Sequence, residues 1–238
     1  MNTIETRSLR KFGMVCGIVG PLLLTLYFAT PAFVSWPSVD TPPDQLVQFA
    51  KTHEPLFYLG AWLQCTGALL SVVFFLVLVQ LAGAQRYLAG LFTIVAVALL
   101  LTVVVIEAAM LVAVPFGAAS NDTATVATTF ALSNGVFVRV FALAPAPAVF
   151  AGLAAVLLRS HVLARGFAWT ALAVAVLFEL AGITAIFSTA GLTLAIVMSI
   201  AQELWIIAAA VGLGVAARVA VTPAEQRSST TDSVPHPA

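Results

Sequence analysis

Glu107, Arg139, Glu179 and Glu203 stand in stretches that are otherwise apolar, and with Gln64, Gln202 and Asn134 they are the side chains of this sequence that could do chemistry inside a membrane. An ionised side chain at the bilayer centre costs at least ~2.5 kcal/mol even on a lenient insertion scale, so each of these groups calls for a partner. The guanidinium of Arg139 can hold one carboxylate bidentately. Three glutamates against one arginine leave a surplus of negative charge, which a proton or a bound cation has to neutralise. A carboxyl group that gains and loses a proton at membrane depth is a working part of proton-coupled transport, whereas the same groups in fixed contact are a clasp between helices.

Their depths agree. Counting inward from the outer helix ends at ~1.5 Å per residue puts Glu107 ~10 Å deep, Gln64 ~12 Å, Arg139 and Glu179 ~14 Å and Glu203 ~18 Å. Five consecutive apolar segments thus each place one polar residue in a common layer, with Gln202 beside Glu203 and Asn134 toward the outer end of the fourth segment. Pro145 and Pro147 lack the N–H that would bond to the carbonyls of Phe141 and Leu143, so the fourth helix is expected to kink or open shortly after Arg139. Carbonyls freed there could line a cavity or coordinate a cation.

Other chemistries have no residues to carry them. His53, His161 and His236 fall in loops or the tail, so no histidine pair is expected to clamp a haem within the bundle. Cys16 and Cys65 lie in separate apolar segments and form no CxxC, which speaks against a redox pair or a metal site. GxSxG, HExxH and P-loop motifs are absent. Enzymatic activity and a cofactor are therefore not expected, and the basic residues are too sparse for a nucleic-acid patch.

The elements that must position the polar layer follow from composition. With 61% hydrophobic and 8% charged residues and a mean hydropathy of +1.07, the 238-residue chain reads as an integral membrane protein. Six runs are long enough to cross ~30 Å of hydrocarbon: 12–34, 56–81, 87–114, 130–158, 166–188 and 191–219. The expected fold is an all-α, six-helix transmembrane bundle occupying 12–221, with a leader at 1–11 and a disordered polar tail at 222–238. The first run is too long for the apolar region of a signal peptide, ~7–15 residues, and reads as a membrane helix. Its Gly13, Gly17 and Gly20 form a stripe on which a neighbouring helix can pack closely, and Pro21 is a candidate kink.

Arg7, Arg10, Lys11, Arg86, Arg159, Arg165, Arg218 and Arg227 all fall on one side of this topology, and Lys51 is alone on the other. Both termini are therefore expected in the cytoplasm, at the plasma membrane. Tyr27, Trp36 and Tyr58 would form the outer aromatic belt, with Tyr87 and Trp169 on the inner side. Trp205 is too deep for a belt and is expected in the core with an acceptor for its indole N–H. Between the first two spans, Thr41 as N-cap, Pro42 in the first turn and Asp44 in a capping box predict a short amphipathic helix on the outer membrane surface, serving as a lid or a cover for helix ends.

Pro42-Pro43-Asp44-Gln45-Leu46 leading to His53, then Tyr58-Leu59-Gly60-Ala61, and the turn from Arg159 to Trp169 resemble a group of uncharacterised bacterial six-helix membrane proteins, grouped as a domain of unknown function. Related proteins often have a proline before the arginine of that turn, where this chain has Ala164. The resemblance covers most of the chain and implies a fold and a bacterial membrane address without an activity. On sequence alone the primary expectation is a structural or interaction bundle held by a buried Arg139–glutamate layer. The alternative is a proton- or ion-coupled transporter of a small solute that uses the glutamates. Beyond the lipid bilayer, the candidate partners are that solute or a proton, a second copy of the chain or another membrane protein.

Overall fold

The computed structural model describes residues 3–38, 40–188 and 190–219, and the expected tail at 222–238 lies outside them. Its architecture is an all-α bundle of six spans. Helix α1 covers Thr3–Phe33, α2 Pro43–Thr52, α3 Glu54–Leu81, α4 Leu88–Ala119, α5 Thr123–Val136, α6 Pro145–Leu158, α7 Arg165–Phe187 and α8 Ala190–Val219. A π-helical turn at Phe137–Phe141 joins α5 to α6, so that α5, this turn and α6 form the fourth span. The basic leader is part of α1, which runs unbroken through Pro21.

The spans close into a ring. α1 packs on α3 and α8, α3 on α4, α4 on α5 and α6, α6 on α7, and α7 on α8, with the π turn touching α4, α7 and α8 from within. The glycine stripe makes the first crossing possible. A Cβ on Gly20 would stand 2.8 Å from the Gly67 carbonyl oxygen, and one on Gly67 would stand 2.9 Å from that of Gly20, so the two backbones touch there. Such close approach lets dispersion and backbone contacts hold two helices that lipid does not push together. Aromatic rings fill the centre: Phe150 is fully buried and meets Phe75, Phe178 and Trp205 at centroid distances of 5.9, 6.5 and 5.2 Å. Trp205 lies in this core as expected, its Nε1 donating to Thr170 Oγ1 at 2.9 Å and to the Phe167 carbonyl at 3.2 Å.

The short helix exists, but its start differs from the expected one. Pro42 occupies the N-cap position and no side chain caps the turn; Thr41 instead shares a hydrogen bond with Ser38. Leu46, Val47 and Ala50 are buried in a cluster with Phe57, Leu111 and Phe130, so the apolar face of α2 packs on protein. Lys51 Nζ, on its polar face, donates to Asn121 Oδ1 in the turn between α4 and α5. The helix therefore covers helix ends.

That turn is stabilised by a cap of its own. Asp122 accepts from the Thr125 N–H at 3.0 Å and from its hydroxyl at 2.6 Å, and these bonds hold its exposed carboxyl below its ordinary range. A carboxylate lowered on folding stabilises the native state above its unfolded pKa, ~3.9, and loses that contribution as pH falls through the lower folded value. Hydrogen exchange at the Thr125 amide, compared with an unstructured amide at the same pH, is thus expected to lose protection as the pH falls below that range. In Asp122→Ala it should be fast already at neutral pH, whereas Asp122→Asn should retain protection without the acid dependence.

Candidate functional site

The break in the fourth span begins before the two prolines. Ala142 N–H bonds to the Phe137 carbonyl, the five-residue step of a π turn, Ala144 leaves helical geometry, and Pro145 opens α6. Proline suits that first position, because its missing N–H has no partner to lose and its ring pre-sets φ. Arg139 sits inside the break. Phe137, Val138 and Phe141 face inward and are buried, and Arg139 and Val140 are turned out and exposed.

This placement overturns the expected buried Arg139–glutamate layer. Arg139 forms no ion pair with any of the three glutamates, and Glu179 is exposed as well. Phe178 is fully buried against Phe141 and Phe150. A step of one residue turns ~100° around a helix, given 3.6 residues per turn, and carries Glu179 off the inward face. The depth estimates placed these charges at one level but held no information about direction around each helix. Asn134, half-buried, donates from its own amide to the Phe130 carbonyl at 2.9 Å and takes no part in a shared site.

Gln64, Glu107, Gln202 and Glu203 do come together. Their relative exposures are 4, 4, 4 and 1%, and all four line one cavity enclosed by α1, α3, α4, the π turn and α8. Helical spacing explains the convergence: Gln64 and Ser71 on α3 are seven residues apart, Val104 and Glu107 on α4 three, and Ser199, Gln202 and Glu203 on α8 fall at i, i+3 and i+4. Leu24 and Phe28 of α1 and Phe137 and Phe141 of the π turn supply apolar wall. No lining residue is basic. The space amounts to about 30 Å³ for the centres of water-sized species. One water needs roughly 10–15 Å³, so the cavity accommodates about two waters or one small ion, and an organic solute is too large for it.

Ser71, Ser199 and Tyr27 also belong to this site, and sequence reading did not place them there. The serines carry a signal, since each lies a whole number of turns from a glutamine or glutamate on its own helix. Tyr27 carries none: expected in the outer aromatic belt, it turns inward and donates from its hydroxyl to Glu107 Oε1 at 3.4 Å. Tyr58, Tyr87 and Trp169 are exposed, as belt residues would be.

The hydrogen bonds leave a pattern of unused acceptors. Gln202 Nε2 donates to Glu203 Oε1 at 3.0 Å. The amide oxygens of Gln202 and Gln64 are both left free. Gln64 Oε1, Ser71 Oγ, Glu107 Oε2, Gln202 Oε1 and Glu203 Oε2 are all buried without a hydrogen-bond partner. No family model, no curated protein and no solved structure matches this chain. Its function is therefore read from the cavity itself. A buried acceptor without a partner costs about 1–3 kcal/mol, more when charged, so five around one small space mark a site built to receive something that supplies positive charge or donors.

Proposed function

We propose that this six-span protein is a proton- or ion-coupled transporter of a small solute, in which Glu107 and Glu203 bind and release the coupling ion. The observation that carries the proposal is that two buried carboxyl groups, each with one unpartnered oxygen, share a water-sized cavity with no basic side chain on its wall. Two uncompensated carboxylates in such surroundings would cost several kcal/mol each, so the centre takes up protons or a cation, and uptake and release of that charge is the coupling event. The solute itself needs a wider opening than this cavity provides, and the break at 137–144 is the place in the bundle where such an opening costs least, because α5 and α6 are already uncoupled there. With Lys and Arg concentrated on one side of the topology, both termini face the cytoplasm of a bacterial cell. The resemblance to bacterial six-helix membrane proteins supports the membrane address.

Proteoliposomes containing the full chain and an internal pH-sensitive dye test this reading. A small-cation gradient is expected to drive proton movement that protein-free vesicles lack, and a solute screen at fixed gradient should identify compounds that change its rate. Vesicles with folded protein and no gradient-driven proton movement would overturn the proposal.

A further inference from the structure

The five free oxygens of the cavity bear on the identity of the ion. None of the five has a hydrogen-bond partner within the protein, so each leaves its bonding capacity unused. A particle seated between the oxygens could touch several of them at once. Two waters donate four hydrogen bonds, which leaves one of the five unsatisfied. A cation can satisfy all of them.

The ligand chemistry narrows the cation. Every candidate donor is an oxygen, from two carboxylates, two amides and the Ser71 hydroxyl, and neither histidine nor cysteine lines the space, so the site suits a hard ion over a zinc- or copper-like one. Each carboxylate has one oxygen that already accepts a hydrogen bond, Glu107 from Tyr27 and Glu203 from Gln202, which leaves its Oε2 as the unpartnered ligand. Five oxygens fall short of the ~6–8 that calcium takes, and the small volume leaves no room for the several waters that magnesium retains.

We infer that the cavity between α3, α4 and α8 is a binding site for a desolvated monovalent cation of sodium size, ligated by Gln64, Ser71, Glu107, Gln202 and Glu203. The inference rests on the transport reading for its role in the cell, though binding is separately measurable. Two carboxyl groups without a basic side chain on the cavity wall supply the negative charge that such an ion neutralises.

Sodium binding to the full chain in lipid nanodiscs, followed by calorimetry, is the direct test. Saturable sodium binding at about one ion per chain is expected. Gln202→Leu and Ser71→Ala are each expected to weaken sodium at least tenfold while the protein keeps its helical content and monodispersity. Two ligand variants guard against a single folding failure. Absence of saturable sodium binding, tighter binding of calcium, or unchanged affinity in both folded variants would overturn the inference. If sodium does not bind yet vesicles show gradient-driven proton movement, the site is a proton site and the transport reading stands; if sodium binds and the vesicles are silent, the binding site stands and the transport reading falls.

Discussion

Glu203→Gln and Glu107→Gln are each expected to reduce gradient-driven proton movement in proteoliposomes at least tenfold, to the level of protein-free vesicles. Glutamine keeps the volume and shape of glutamate, and at position 203 its amide oxygen can still accept from Gln202 Nε2, which lies 3.0 Å from the native carboxyl oxygen. Packing is therefore conserved, which matters for a side chain that is only 1% exposed. What disappears is the negative charge that attracts a cation and the oxygen that a proton can join and leave. At position 107 the Tyr27 hydroxyl keeps an acceptor in the same way. Arg139→Gln and Glu179→Gln supply the contrast: both residues are exposed and neither lines the cavity, so at equal amounts of folded protein their flux should remain within about twofold of the original. Wild-type flux in either cavity variant, or loss of flux in both outer ones, would remove the cavity from the mechanism.

Gly20→Leu is expected to prevent assembly of the bundle, seen as loss of monodisperse protein after extraction. A Cβ at this position would stand 2.7 Å from Ser71 Oγ and 2.8 Å from both the Gly67 carbonyl oxygen and the Ser71 nitrogen. Two of those three atoms are backbone and cannot swing aside, so α1 would have to leave α3. Overpacking that side chains can absorb costs typically ~1–3 kcal/mol, and a branched side chain against backbone should exceed that range. Gly20→Ala is the graded version: it should fold with reduced thermal stability and, by displacing Ser71, should also alter ion binding. Gly135→Ala serves as control, since nothing lies within 4 Å of its Cβ position. Alanine there should stabilise slightly, by up to ~1 kcal/mol, because it restricts the unfolded chain and favours helix.

The stripe of Gly13, Gly17 and Gly20 was visible in the sequence as a helix-packing surface, and α3 does lie on it. Four of the seven polar residues singled out, Gln64, Glu107, Gln202 and Glu203, meet at the cavity; Arg139, Glu179 and Asn134 do not. The arginine expected to offset part of the charge surplus faces outward, and so does Glu179. Ser71 and Ser199 could have been recovered by extending each helix face through the known polar residues. The entry of Tyr27 into the site depends on how α1 is rotated against α3 and α4, and no pattern within α1 records that rotation.

The same division runs through the whole chain. Six membrane-length helices, the short helix after the first of them, the interruption of the fourth and the presence of carboxyl groups within the spans are legible in the sequence. These follow from apolar length, proline chemistry and residue type, which are properties of one segment at a time. Only the tertiary structure decided which face of each helix turns inward, that the break lies at the π turn ahead of the prolines, and that the unpartnered oxygens converge on one small space without Arg139. Those outcomes depend on rotation about helix axes and on close packing between segments distant in sequence. In lipid, apolar surface is equally at home against a neighbouring helix or a hydrocarbon tail, so the hydrophobic pattern of a span carries little record of the direction it faces.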